Sequence, residues 1–281
     1  MQKMPKRYYA FFTLPTIIAF LIAFFIPFLF GIFLSFNTFR TVTNTKWVGG
    51  TNYIRALTED STFVNATIFT VKFALVSVVL INVFAFSLAL LLTRKMRGEN
   101  GFRTVFFMPN LIGGIVLGYI WLLIINGVLI NFGVDITYDA RLGFWGLVVV
   151  TNWQMVGYMM IIYIAGILAI PHELIEAARI DGANAWQILR SITIPLVMPA
   201  ITICTFLTVA NSFKLFDQNL ALTAGAPGNE SSMLALDIFN TFYGRIGYEG
   251  VGQAKAVIFT LFVAVIVLAQ LRFSRRQEVE S

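Results

Sequence analysis

Six separate apolar runs, each about long enough to cross a lipid bilayer, constrain this chain more than any other feature. A helix rises 1.5 Å per residue, so roughly 30 Å of hydrocarbon takes about 20 apolar residues. The runs are 10–36, 63–93, 104–126, 143–170, 196–216 and 254–273, divided by polar or Gly- and Pro-bearing stretches. Composition agrees. The chain is 58% hydrophobic and 12% charged, where a soluble domain is about 45–50% apolar and about 25% charged. The expected fold is all-α and integral to the membrane, with six transmembrane helices in a single domain, 1–281. The first run, Ala10 to Phe36, is too long for a signal-peptide core and ends without a small-x-small cleavage site, so it reads as a retained helix.

The fifth run is the most polar, with Thr202, Thr205, Thr208, Asn211, Ser212 and Lys214. Polar groups in hydrocarbon need partners, so this helix is expected to face protein or a water-filled path. Gly114 and Gly118 form a small-xxx-small pattern that permits close approach of another helix. Pro27 and Pro109 are expected to bend or delimit their helices.

Orientation follows from Lys and Arg placement. With the N-terminus inside, the cytoplasmic segments hold Lys3, Lys6, Arg7, Arg94, Lys95, Arg97, Arg103, Arg179, Arg190, Arg272, Arg275 and Arg276. Those twelve bases face six acids, Glu99, Glu173, Glu176, Asp181, Glu278 and Glu280, whereas the other side balances eight against eight. Both termini are therefore expected in the cytoplasm of a multi-pass cell-membrane protein. The net charge of +6 is distributed by topology rather than gathered on one wettable face, which argues against nucleic acid. Lys72 and Lys214 lie near outer helix ends and are expected to reach water, with a Lys214–Asp217 pair as the alternative.

Several chemistries are excluded. The one cysteine, Cys204, lies in an apolar run and rules out an intramolecular disulfide. The one histidine, His172, removes His–His metal sites and has no nucleophile elbow nearby. No metal site and no catalytic residues are expected.

The segment from His172 to Pro195 is unlike a plain connector. Pro171 can open a helix, and Glu173 and Glu176 suit the positive end of its dipole. Gly182 can cap it and turn the chain, Ala183 to Ser191 reads as a second short helix, and Pro195 is expected to stop it. Leu174, Ile175, Ala177, Ala178, Trp186, Ile188 and Leu189 fall at helical spacings. Apolar anchors on a short exposed helix suggest docking into a partner's groove. An interfacial helix on lipid headgroups would carry a basic polar face, but here Glu173, Glu176 and Asp181 outnumber Arg179.

Glu176-Ala177-Ala178, then Asp181-Gly182-Ala183, then Ile192 and Ile194-Pro195 resemble the EAA loop of ABC importer permeases. The family often ends the loop in Leu-Pro, so Ile194 is a mild departure. The resemblance covers all six spans and is closest to the carbohydrate-uptake subfamily, to its maltose-permease-like first membrane subunit. Phe216-Asp217-Gln218 and Thr223-Ala224-Gly225-Ala226-Pro227 resemble the Phe-Asp…Thr-x-Gly-Gly-Pro stretch of such subunits, with Ala226 in place of the second Gly.

This resemblance implies a type I ABC importer permease fold and a pore subunit for a carbohydrate, an oligosaccharide or sugar derivative. It implies a second homologous permease subunit, two cytoplasmic ABC ATPase subunits and an extracellular solute-binding protein. Glu176, Ala177, Ala178, Asp181, Gly182, Ala183 and Trp186 would seat the loop on an ATPase, and bulk at Gly182 is expected to clash. The chain has no G-x-x-x-x-G-K-[ST] phosphate loop. ATP and Mg would thus belong to the partner subunits, and this chain would be no enzyme and hold no cofactor. By alignment, the solute path falls on Thr151, Gln154, Met155 and Tyr158 of the fourth helix and on Asn211, Ser212 and Leu215 of the fifth. The fourth-helix set runs i, i+3, i+4, i+7 and shares one face. Helix–helix hydrogen bonding by the same polar residues is the alternative. An ion-coupled secondary transporter would bury carboxylates in its spans, and no Asp or Glu lies deep in any of these six.

Overall fold

The computed structural model describes residues 6–41, 43–94 and 97–274. Lys3, Lys95, Arg275, Arg276, Glu278 and Glu280, counted above as cytoplasmic, lie outside them. Helices α1 (Lys6–Phe20) and α2 (Ile26–Ser35) join through a π-helical turn, Leu21–Phe25. The wider turn lets Pro27 sit in the first turn of α2, where its missing N–H costs nothing. A short hairpin follows, β1 (Asn37–Phe39) antiparallel to β2 (Thr45–Trp47), with Thr38 opposite Lys46. Then come α3 (Thr51–Ile54) and the long α4 (Ser61–Leu92).

The run 104–126 is divided in two. Helix α5 (Glu99–Phe107) ends at a 3₁₀ turn opened by Pro109, and α6 (Gly114–Leu129) begins after the extended Gly113. Helix α7 (Ala140–Leu168) is capped by Asp139, whose carboxylate accepts from Arg141 N at 2.8 Å. Next are α8 (His172–Ile180), α9 (Ala185–Ile188), α10 (Ile194–Leu196) and α11 (Met198–Phe213). Pro195 does not stop this helix. A π turn, Leu189–Thr193, precedes it and again leaves proline in a first turn that needs no donor. The break comes at Val197, where the axis bends by 69°. The chain ends with α12 (Asp217–Leu222), α13 (Leu234–Gly244) and α14 (Glu249–Ser274).

Among the described residues five helices are long and apolar enough to cross a membrane, and the bent pair Ala185–Leu196 with Met198–Phe213 makes a sixth if it counts as one span. Large apolar side chains stay exposed along them, including Phe24, Leu75, Leu123 and Val265, as a lipid solvent permits.

The chain forms two compact units. Unit 1 comprises residues 1–63 and 238–260, and unit 2 comprises 64–237 and 261–281. In unit 1, Asn52 Nδ2 donates to Ser35 O and Asn37 O, both at 2.9 Å, and pins the hairpin base. Its core is ionic. Lys255 Nζ lies 3.0 Å from Asp60 Oδ2, Arg245 Nη1 lies 2.7 Å from the same oxygen, and Thr62 donates to Oδ1. Lys255 also donates to Thr241 Oγ1 at 2.8 Å and stands over the Phe63 ring. Lys255 is 0% and Asp60 5% exposed, so this pair is buried, while Arg245 at 39% (side chain) still reaches water.

Unit 2 is organised around α7, the most buried span: 61% of its membrane window is covered, against 11% for Thr13–Ser35. One apolar cluster gathers Ile81, Ala85, Met159, Tyr163 and Cys204 from α4, α7 and α11. A second gathers Phe73, Leu117, Leu147 and Leu222. Asn82 ties the first together, because Tyr163 Oη donates to its Oδ1 at 2.6 Å and its Nδ2 donates to Thr208 Oγ1 at 3.1 Å.

Glycine sets the closest approaches. A Cβ at Gly157 of α7 would run into the Phe106 carbonyl of α5. At Gly114 and Gly118 it would come within 2.6 Å of Asp217 Cβ and Ala221 Cβ. The small-xxx-small face is thus a packing face, and its partner is the short helix α12 rather than another span.

Candidate functional site

A cavity of about 510 Å3 opens in unit 2 between α7, the end of α11 and the start of α12. That volume is within the ordinary range for small-molecule sites. Thr151, Gln154, Met155 and Tyr158 line it from α7, and Asn211 and Leu215 from α11 and its exit. The i, i+3, i+4, i+7 spacing therefore does put four side chains on one wall. Ser212 is not on the wall. It is one residue, about 100° of helix rotation, from Asn211, and its hydroxyl is fully buried.

Six further lining residues come from outside that set: Asn110, Leu207, Lys214, Phe216, Asp217 and Gln218. Three of them form the Phe216-Asp217-Gln218 motif, so the stretch that resembles a subunit-type signature also builds the wall. Gln154 has a defined job. Its Oε1 accepts from Gln218 Nε2 at 2.6 Å, and its Nε2 donates to Ile112 O at 2.9 Å. Its amide thus clamps α12 and the start of α6 onto α7, which is the helix–helix alternative weighed for it. Lys214 and Asp217 both line the cavity, and no ion pair joins them among the described residues.

The second region is the α8–turn–α9 segment. Gly182 adopts φ +84°, a left-handed conformation that glycine tolerates. Ala183 N donates to Ala178 O at 2.9 Å and Gly182 N to Arg179 O at 3.1 Å, closing the helix end in a tight turn. Asn184 and Gln187 then form a reciprocal capping box at 2.9 and 2.8 Å that opens α9. The turn is rigid, yet its surface is open. Glu176, Ala177, Asp181 and Gly182 are exposed, Ala178 and Ala183 half-buried, Trp186 65% and Ile180 86% exposed. A Cβ at Gly182 would meet nothing within 4 Å in this chain. The constraint there is the backbone angle, and any steric clash must come from a docked partner. A depression of about 320 Å3 lined by Asp181, Gln187, Ile188 and Ser191 lies beside it.

Among the described residues no three His, Cys, Asp or Glu side chains gather as metal ligands. The lone Cys204 is 0% exposed and packed against Met159 O.

A spanning bundle with a polar wall on α7 and α11, and an exposed helix–turn–helix between those two helices, defines a membrane transport subunit. The fold is shared with a chain of a bacterial ABC transporter involved in import of the acidic polysaccharide alginate. That match has a TM-score of 0.80 at 21% identity and covers 96% of each chain. Residues 97–279 match the family described as the binding-protein-dependent transport system inner membrane component, and this chain belongs to that family. It is 47% identical to the probable starch degradation products transport system permease protein of Thermoanaerobacterium thermosulfurigenes, over 97% of this chain and 96% of the relative. It is 29% identical to the multiple sugar-binding transport system permease protein of Streptococcus mutans, over 99% of both chains.

Proposed function

We propose that this chain is one half of the pore of an ATP-driven importer that takes up a carbohydrate, an oligosaccharide of the kind released from starch. The observation that carries this reading is the 47% identity to a starch-product permease over 97% of the chain. A second, homologous permease would complete the pore, two cytoplasmic ATPases would supply ATP hydrolysis, and an extracellular binding protein would deliver the sugar. With both termini in the cytoplasm, α8 and α9 face the ATPases and the end of α11 faces the opposite side. Exposed Trp186 and Ile180 offer apolar anchors, and Glu176 offers a carboxylate for charge-assisted hydrogen bonds. Ala178 and Ala183 are small enough for close seating.

The test is ATP-dependent uptake of maltotetraose by the assembled complex in proteoliposomes. Glu176→Lys and Gly182→Trp are expected to lower uptake about tenfold or more, since coupling between two sites is typically worth 5- to 150-fold. Normal uptake and normal ATPase retention in both variants would remove α8–α9 as the docking element. Tyr158 lines the cavity, packs against the first apolar cluster and stands over the Phe107 ring with centroids 6.5 Å apart. Tyr158→Ala is expected to raise the KM for maltotetraose about tenfold through loss of a stacking face. Gln154→Ala is expected to lower kcat, because it releases Gln218 and Ile112. Unchanged selectivity and rate in both would exclude this wall from the solute path.

A further inference from the structure

The cavity carries two opposite charges on an interval of three residues, Lys214 at the end of α11 and Asp217 at the start of α12. Both are exposed to it, and neither has an ion-pair or hydrogen-bond partner for its charged group among the described residues. Each is anchored on its own helix. Asp217 is pressed against Gly114 of α6, where an added Cβ would lie 2.6 Å from Asp217 Cβ and 3.1 Å from its Oδ2. Its neighbour Gln218 is fixed by the 2.6 Å bond to Gln154 of α7. Lys214 belongs to the other helix, its N–H closing the last turn of α11 on Ala210 O at 3.3 Å.

The geometry points to a charge-balanced recognition pair that selects an uncharged polyhydroxylated solute and discriminates against sugar acids. This inference rests on the carbohydrate reading above and adds the two residues that select for a neutral glycan. An ionised carboxylate accepts only and can take hydrogen bonds from two neighbouring hydroxyls, while an ammonium donates only and suits ring and hydroxyl oxygens. A sugar hydroxyl does both, so a neutral glycan satisfies the two groups at once. A uronate satisfies Lys214 but brings a second negative charge to Asp217. Asn110 and Asn211 on the same wall are neutral and can serve either partner. The pair therefore decides on charge.

The experiment measures equilibrium binding of maltotetraose and of tetragalacturonate to the purified permease–ATPase complex, without the binding protein. Wild type is expected to prefer maltotetraose by about tenfold or more, the usual consequence of one unfavourable charge contact in a partly enclosed site. Asp217→Asn is isosteric and keeps the packing on Gly114. It leaves Lys214 alone and is expected to move the preference about tenfold toward the acid. Lys214→Gln is expected to move it the other way. A purely structural role for Asp217 would weaken both ligands alike and leave the ratio fixed. Lys72→Gln, an exposed lysine off the cavity, serves as the unaffected control. If wild type binds maltotetraose and the ratio stays within twofold in both variants, the recognition pair is overturned and the carbohydrate reading survives. If wild type binds neither sugar, the carbohydrate reading falls and takes this inference with it.

Discussion

Asp60→Leu is expected to destabilise unit 1 by about 3–5 kcal/mol, the range for removing one partner of a buried ion pair. The size follows from what is left behind. Lys255 is 0% exposed, and without Asp60 its buried charge loses the carboxylate 3.0 Å away and is left beside Arg245. The reverse substitution is milder. Lys255→Met leaves Asp60 bonded to Arg245 at 2.7 Å and to Thr62, so about 1–2 kcal/mol is expected. Asp60→Leu with Lys255→Met is expected to recover most of the larger loss, because an apolar pair of similar volume carries no desolvation penalty. Hydrogen exchange over residues 51–63 and 238–256 in detergent reads unit 1 directly. Equal losses from the two single variants, with no recovery in the double, would contradict the ion-pair account.

Acid tests the same network. Burial alone would raise the Asp60 carboxyl, but hydrogen bonds from Thr62 and the Lys255 and Arg245 charges outweigh it and hold it below its ordinary 3.8. A carboxyl lowered by folding adds stability above its unfolded pKa and loses it as pH falls through the folded one. Unit 1 is therefore expected to keep this contribution at neutral pH and to lose it only below about pH 4.

The second large effect is at Gly157. Gly→Ala inside a helix ordinarily stabilises by about 0.4–1 kcal/mol through the unfolded chain. Gly127→Ala in α6, with nothing within 4 Å of the new atom, is expected to follow that rule. Gly157→Ala is expected to reverse it, costing about 3 kcal/mol or more, because the obstacle is the Phe106 backbone carbonyl and not a side chain that can turn away. Thermal unfolding of the two variants side by side measures the difference in sign. Equal midpoints would mean that α5 is free to move off α7.

What the sequence made legible was whatever depends on neighbours along the chain. Hydropathy marked the apolar runs but not the break of 104–126 into α5 and α6, and Gly182, Pro171 and the Ala and Trp spacing pointed to α8 and α9. The four α7 wall positions came from the resemblance to maltose-permease-like subunits, and the helical period put them on one face. The capping box at Asn184 and Gln187 is equally local, since Asn-x-x-Gln before a helix is its signature. What stayed hidden depends on distant residues. Asp60 and Lys255 stand 195 positions apart, and nothing local marks either as a partner of the other. Gly157 reads as one more membrane glycine until α5 is laid across it. Gly114 and Gly118 announced a close approach but not its partner, because α12 is six residues long and has no spanning signal of its own.

The 69° bend at Val197 has a mechanical consequence. The rod that leaves the α8–α9 turn does not run straight into α11; it meets it as the two arms of a crank. Val197 is 0% exposed, so the pivot is gripped by its neighbours rather than hanging in solvent. A small displacement delivered to the short arm is expected to rotate the long one, whose far tip is Lys214. A push on α8 or α9 is therefore expected to reach Lys214 on the cavity wall.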